Sequence, residues 1–502
     1  MRQTPYDTFA EACKSYGTVR FTASYFADGL TPIHIIQQLH DQAAFLLESK
    51  DEQSTWSRYS FIGLNPLYEL KENQGTYETF DRNKKVLVKA SSFEAAFENT
   101  LTKLDVEPSD IPIPFTGGAV GYMSYDAIET IEPKLKRETE SVLPHYHFLF
   151  CETLISYDHE QKELVVMVHL PKDDSSTKER YERGEAIVAD VMGKLSRTSI
   201  STLSSGIPTS NQEVSFEGIS SNYTKETYIR DVEAVQEYIK AGDVFQTVLS
   251  QRFTTPVSVK ALDIYRVLRL INPSPYLFYL RLDDMEVVGS SPERLVQVQN
   301  GHVEIHPIAG TRPRGQTAEE DLQFREELLA DEKERAEHYM LVDLARNDVG
   351  RIAQYGSVET PQLLEIGLFS HVMHIVSKVT GRLHPNTKPL EALMASFPAG
   401  TVSGAPKIRA MEILQELEPT RRGLYAGAIG YLGYDGNIDS CIAIRTMTIQ
   451  NGTATIQAGA GIVADSHPES EFEETRNKAK ALIRAVQIAE VMFSTEEASS
   501  HV

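Results

Sequence analysis

HFLFCETLISYDHEQKELVVMVHL, residues 147–170, decides the fold. Two apolar runs, HFLFCETLISYD and KELVVMVHL, lie on either side of an Asp-His turn and read as two strands of a hairpin. The same pattern recurs along the chain. YSFIGLNPLYEL and KVLVKAS alternate like strands, and FTGGAVGYMSYD (115–126) is an apolar run broken by glycines. VFQTVLSQRF, YLFYLRL, MEVVGSS, VEIHPIAG, AIGYLGY, SCIAIRTMTIQ and TATIQAGAGIVA read as further strands. Helical spacing predicts a helix over residues 32–49, with Ile36, Leu39, Ala43 and Leu47 on one stripe. It predicts others over KETYIRDVEAVQEYIKAG, ending at Gly242, and over AEEDLQFREELLADEKERAEHYMLVDLARND, PLEALMASF, PKIRAMEILQEL and ESEFEETRNKAKALIRAVQIAEVMF. Strands in hairpin-like runs separated by helices predict an α+β fold. Its mostly antiparallel sheets pack with helices, in place of a doubly wound parallel sheet.

The 502 residues are enough for two or three domains or one large composite. Segment 196–222 is rich in Ser, Thr and Gly and reads as a linker. It divides an N-terminal region (1–195) from residues 223–490, with a tail at 491–502. A net charge of −22 argues against nucleic acid as a partner, since phosphate binding needs a basic face. The N-terminus lacks the apolar core of a secretory signal, and no 18-residue apolar run offers a membrane span. Cys13, Cys151 and Cys441 are isolated and odd in number, which suits a reducing cytoplasm.

Two Glu-x-x-Glu pairs carry the first hint of chemistry. Glu334 and Glu337 lie in one helical segment, and Glu471 and Glu474 in another. Residues three apart share a helix face, so each helix offers two carboxylates in one direction. Facing each other, the four would repel unless filled by a cation, and a hard ion such as Mg²⁺ suits oxygen donors beside an anionic substrate. Gly459, Ala460 and Gly461 read as a small-residue turn whose N–H groups can approach an anion. Gly310 and Thr311 offer a second such nest. Arg445 lies on a strand-like run where alternation puts it on the face of Ala443 and Met447. Unpaired there it is costly, so it needs a carboxylate partner or a ligand. Tyr425 can place a hydroxyl at the same strand end. Glu293, His374 and Thr401 are the acid–base candidates, and Gln246 is a polar group on a strand expected to be buried.

Together the motifs GDVFQTVLSQRF, NPSPYLFYL, SSPERL, PIAGTRPRG, ERAEHYMLVDLARND, VMHIVSKV, PAGTVSGAPK, YAGAIGY, CIAIRT, QAGAGIVADS and EFEETRNKA follow the order found in chorismate-utilising enzymes. The chain resembles the large (component I) subunits of anthranilate synthase within that superfamily. The likeness is most specific over 223–490 and weaker over 18–170, through LLES and SRYSFIG. It implies the chorismate-binding enzyme fold and conversion of chorismate and ammonia to anthranilate and pyruvate, the first step of tryptophan biosynthesis. Relatives that add water to chorismate carry Lys where this chain has Gln246. Those that make the para-amino product carry Lys where it has Ala309. Neither Lys is present, so the amine-adding, ortho-amino reaction is implied over an aminodeoxychorismate synthase. A non-catalytic amino-acid sensor on the same fold is disfavoured because the catalytic candidates are all there.

The resemblance assigns Glu337 and Glu474 as Mg²⁺ ligands, with Glu334 and Glu471 direct or through water. It assigns Tyr425, Arg445, Gly459, Ala460 and Gly461 to the enolpyruvyl carboxylate, with Gly310, Thr311 and Lys478 as further contacts. Glu293 is the acid for the leaving hydroxyl, His374 assists pyruvate loss, and Thr401 orients substrate. Feedback inhibition by tryptophan is implied at Glu48, Ser49, Pro275, Tyr276 and Leu277. No glycine-elbow Cys of a glutaminase exists here. A separate glutamine amidotransferase subunit is therefore expected to deliver ammonia in a heteromeric complex, such as a heterotetramer.

Overall fold

Two long strands organise the molecule. Tyr59–Asn73 and Tyr146–Asp158 run antiparallel from Tyr59 opposite Asp158 to Lys71 opposite His147. Each divides its other edge between two partners. The first pairs with Ala43–Glu48 near its start and with Thr76–Asp81 near its end. The second pairs with Gly118–Met123 near its start and with Glu163–Pro171 near its end. The first strand changes partners at Asn65-Pro66, where Asn65 is left-handed (φ 51°) and the register shifts between Pro66 and Tyr68. Proline cannot donate to a ladder, so the strand bends there and passes from one sheet to the other. The computed structural model describes residues 2–50, 55–73, 75–139, 141, 143–196, 213–368 and 372–494.

Two antiparallel sheets therefore leave a shared pair of strands. One runs through Ala43–Glu48 to Tyr276–Leu282, Met285–Ser291, Thr446–Gln450, Thr453–Ile462 and Gln246–Pro256. The other runs through Gly118–Met123 to Ala428–Gly433, Ile438–Ile442, Arg294–Gln299, His302–Ile305 and Val372–Arg382. Both sheets thus contain strands from before residue 196 and after residue 222. The hairpin expected at 147–170 is present, with Asp158 opposite Glu163. Helices Ala261–Ile271 and Pro468–Phe493 cover the first sheet, the latter through Ala479, Leu482, Ile483 and Val486 as its spacing predicts. Helices Phe93–Leu104, Glu332–Gly350 and Pro389–Ser396 cover the second.

Several expectations change. The predicted helix over 32–49 is a short helix, Pro32–Gln38, followed by the strand Ala43–Glu48. Its AAFLLE run lies between two neighbouring strands and is buried at every residue but one, so sheet pairing overrides the helical spacing. VEIHPIAG is two strands, His302–Ile305 and Ile308–Pro313, both paired to Val372–Arg382. The single long helix expected before residue 350 is two, Ala318–Ala330 and Glu332–Gly350. Asp331 breaks it because its carboxylate accepts from the N–H groups of Lys333 and Glu334 and caps the second helix. Of the segment 196–222, residues 197–212 lie outside the described residues. Its last part joins the fold: Ser220–Ser221 pairs with 253–254 and Phe216 packs on Phe253. The final helix continues to Phe493, within the stretch read as tail, and 495–502 lie outside the described residues.

Candidate active site and a second cavity

The two Glu-x-x-Glu pairs come within electrostatic reach of each other, Glu337 feeling the charge of Glu474. Glu334 and Glu337 occupy the first two turns of Glu332–Gly350, and Glu471 and Glu474 those of Pro468–Phe493. Two helix N-termini, with their partial positive charge, thus carry the four carboxylates. All four are half-buried. Burial, then the charge of Glu334 and also that of Glu474, pushes the pKa of Glu337 up, against a hydrogen bond from Gln246. Glu471 is pushed up too, by burial first and by Glu474 among its neighbours. Gln246 Nε2 lies 3.4 Å from Glu337 Oε1. Lys478 Nζ lies 2.7 Å from Glu474 Oε1 and Arg312 3.5 Å from Glu334. An all-oxygen cluster in which burial and neighbouring carboxylates push Glu337 and Glu471 up is relieved by a hard dication, so these residues fit Mg²⁺. A tighter acid–histidine group lies elsewhere, at Glu69, His147 and Asp283. Lys71 and Lys84 each bridge Glu69 and Asp283, so its charge is already compensated by ammonium groups.

Beside the glutamates is a strand edge. Gly459 to Gly461 are not the expected turn: they lie inside Thr453–Ile462, paired with Val248 to Ser250. The neighbouring strand Thr446–Gln450 pairs only as far as Ile456, so beyond it the second edge has no strand partner among the described residues. Both glycines are there for space. A Cβ on Gly459 would sit 2.6 Å from Tyr425 Oη, and one on Gly461 2.7 Å from Gln246 Nε2. Ala460 points into the core. Lys478 Nζ donates to the Gly459 carbonyl at 3.0 Å.

Arg445 is likewise not on a continuous strand. The run breaks between Ile438–Ile442 and Thr446–Gln450, and Arg445 takes a left-handed φ of 48°. Ala426, next to Tyr425, does the same at 64°. Each costs on the order of 1 kcal/mol, a strain that gathers at sites where direction matters. The break turns Arg445 toward the helix bearing Glu474, and it donates to the Lys478 carbonyl at 3.2 Å. Burial lowers its pKa, while Tyr425 and Glu474 oppose that.

The acid–base candidates complete the ring. Glu293 lines a small half-open cavity with Thr401, His306 and Leu341. Thr401 Oγ1 donates to Glu293 Oε1 at 2.8 Å. Burial dominates and raises the pKa of Glu293 to about 7, against the Thr401 hydrogen bond and the charge of Lys478. His374 and Thr311 are opposite one another on paired strands. Gly310 has φ +69° and lies at a register shift, which turns its carbonyl to 2.8 Å from His374 Nδ1. With Nδ1–H donating there, Nε2 is the acceptor nitrogen. Burial, with Arg445 adding to it, lowers the pKa of His374. The imidazole is therefore neutral at neutral pH.

A second cavity, ≈ 70 Å³, opens between Ala43–Glu48 and Tyr276–Leu282. It is lined by Glu48, Ser49, Pro275, Tyr276 and Leu277, all five residues expected of a regulatory site. Sequence reasoning missed the rest of its wall, including Phe61, Tyr431, Arg294 and Asp439. They arrive from other strands, and only the sheet pairing brings them in. The Glu48 carboxylate is already engaged by Arg269, two bonds of 2.9 Å, and by Tyr265 at 2.6 Å. Tyr276 Oη donates to Asp439 at 2.9 Å and accepts from Arg294 at 2.7 Å.

Comparison with known proteins places the chain in a family. The family model described as chorismate binding enzyme matches residues 42–484. Anthranilate synthase component 1 of Bacillus subtilis (strain 168) is 50% identical over 501 residues, covering 99% of this chain and 97% of that one. The protein of that name from Geobacillus stearothermophilus is 52% identical over 498 residues, covering 97% and 98%. The crystal structure of anthranilate synthase component I from Streptococcus pneumoniae TIGR4 superposes with a TM-score of 0.73 at 36% identity, covering 91% of this chain and 98% of that one. A family model matching most of the chain, and relatives about half identical over nearly its whole length, show the family: this chain belongs to the chorismate binding enzyme family, among the component 1 subunits of anthranilate synthase.

Proposed function

We propose that this chain converts chorismate and ammonia to anthranilate and pyruvate. What carries the reading is one constellation: Glu293, its pKa raised to about 7 beside Thr401, within the electrostatic reach of Lys478, which itself pairs with Glu474. Glu337 and Glu474, with Glu334 and Glu471, would hold Mg²⁺. Bound there, the ion would neutralise the ring carboxylate of the substrate.

The chain's own groups do the rest. Arg445, Tyr425 and the open edge at Gly459, Ala460 and Gly461 bind the enolpyruvyl carboxylate. A guanidinium fork suits a carboxylate, and the glycines let it approach the backbone. Gly310, Thr311 and Lys478 make further polar contacts. Ammonia is its own nucleophile, so Gln246 in place of a base is no handicap. As ammonia attacks C2, Glu293 gives its proton to the departing C4 hydroxyl, and Thr401 fixes the carboxyl orientation by bonding Oε1. His374, neutral and with Nε2 as acceptor, then takes the C2 proton as pyruvate leaves and the ring becomes aromatic.

Ammonia comes from glutamine through a separate amidotransferase subunit. The N-terminal region, residues 1–195, contributes a tryptophan site at the second cavity. Its wall is apolar and aromatic, which suits an indole, and Ser49 and Tyr276 supply polar rims. The test is direct: incubate the chain with chorismate, Mg²⁺ and an ammonium salt. Blue-fluorescent anthranilate and an equal amount of pyruvate are expected. An amino product without pyruvate, or unchanged chorismate, would overturn the proposal.

A further inference from the structure

Arg422 and Glu418 form a buried ion pair, with side chains 1% and 3% exposed. They lie in the loop between helix Lys407–Leu417 and Tyr425, and neither lines a cavity described above. The Arg422 fork takes both Glu418 oxygens, Nε to Oε2 at 2.9 Å and Nη2 to Oε1 at 2.7 Å. Its remaining donors reach two backbone carbonyls: Nη1 to Val402 at 2.7 Å and Nη2 to Val248 at 2.6 Å. The guanidinium also lies against the Tyr125 ring (4.6 Å) and the Tyr425 ring (5.4 Å). Glu418 Oε1 accepts from the backbone N and the hydroxyl of Ser250, at 3.0 and 2.7 Å.

Those partners are not a random sample of the core. Val402 follows Thr401, which bonds Glu293. Val248 is paired with Gly461, and Ser250 with Gly459, so both lie on the strand along the closed edge of that segment. Tyr425 is the ring beside Gly459. One guanidinium therefore ties together the residue after Thr401, the strand that backs Gly459 to Gly461 and the Tyr425 ring. A buried ion pair adds little stability over well-packed apolar residues, because desolvation consumes the attraction. What a fork held on both sides does provide is direction.

We propose that Arg422, oriented by Glu418, is a positioning residue of this active site: it fixes Thr401, the Gly459–Gly461 edge and Tyr425 relative to one another without touching substrate. The inference rests on the proposed chorismate amination. Arg422→Lys keeps the charge but cannot span Glu418 and both carbonyls. At equal folded fraction, judged by thermal melting, kcat/KM for chorismate should fall more than about tenfold. A cycle with Thr401→Val separates positioning from general damage. If Arg422 acts through Thr401, the double variant loses clearly less than the product of the single losses. The pair Glu418→Met with Arg422→Met replaces the ions by apolar volume. It should melt near the parental temperature yet remain as slow as Arg422→Lys. Multiplicative losses in the cycle, or parental kcat/KM in the folded Met pair, would overturn the role. Failure of the parental chain to form anthranilate would instead sink the activity itself.

Discussion

The active site and the second cavity are built on the same sheets but treat charge in opposite ways. In the active site, like charges are gathered and left in tension: Glu337 and Glu471 are pushed up by burial and by their carboxylate neighbours. Around the second cavity, the Glu48 carboxylate is closed off by Arg269 and Tyr265, while burial pushes Asp439 up against the charge of Arg294 and a hydrogen bond from Tyr276. The first arrangement asks for a cation and an anionic ligand. The second leaves an apolar slot between settled ion pairs, which can recognise shape but has little to do chemistry with. Electrostatic tension, more than pocket size, marks which of two cavities is catalytic.

That contrast can be broken. The largest expected effect is on the strained side. Replacing Glu337 and Glu474 together by Gln removes the charge that would hold Mg²⁺. A loss of about 10³-fold in kcat/KM is expected, some 4 kcal/mol of lost charge stabilisation, with dependence on added Mg²⁺ abolished. Anthranilate fluorescence across a Mg²⁺ titration measures it. Parental activity would show that the tension serves something else.

Glu293→Gln removes the proton donor and should cost about 10²-fold. In the parental chain the acid must be protonated to work, and its pKa lies at about 7. Activity due to this group is therefore full below that value. It falls by about tenfold per pH unit above it, as the carboxylate form takes over. With the concentration of free NH3 held constant, a pH profile of kcat/KM should show that descending limb in the parental chain and lack it in Glu293→Gln. Keeping the limb in the variant would mean that another group is the acid.

The smallest effect is on the settled side. Ser49→Arg should crowd the second cavity, leaving catalysis within about twofold of the parental rate. The tryptophan concentration for half inhibition should rise by about tenfold, as expected when a pocket contact worth roughly 1–2 kcal/mol is lost. Inhibition curves with and without the substitution decide it. Unchanged inhibition would move the tryptophan site elsewhere.

Short-range pattern made much of this readable. The 147–170 hairpin, the helix ending at Gly242 and the apolar stripe of the last helix are local features, where period and capping leave few alternatives. The Glu-x-x-Glu pairs were legible for the same reason: spacing on a helix fixes direction. Residues 43–48 were not legible, because their alternatives differ only in what lies alongside. Two strands of the sheet flank them, and that neighbourhood overrides a helical stripe.

Arg445 is the sharper case. Its residue type called for a carboxylate partner or a ligand, but strand alternation aimed it wrongly, since the break that turns it comes from tertiary contacts such as Ser290 N–H to the Arg445 carbonyl at 3.0 Å. Arg422 and Glu418 gave no signal at all. Four residues apart at the end of a helix, they could equally be an exposed pair, and only their burial beneath Tyr425 gives them a task. By itself the chain determined its elements, its fold class and the chemical kinds of group it would bring to bear, because these follow from spacing and residue type. The tertiary structure alone decided which carboxylates are crowded by like charges and which are held by cations, because the field at a carboxylate is set by whatever the fold brings within a few ångströms.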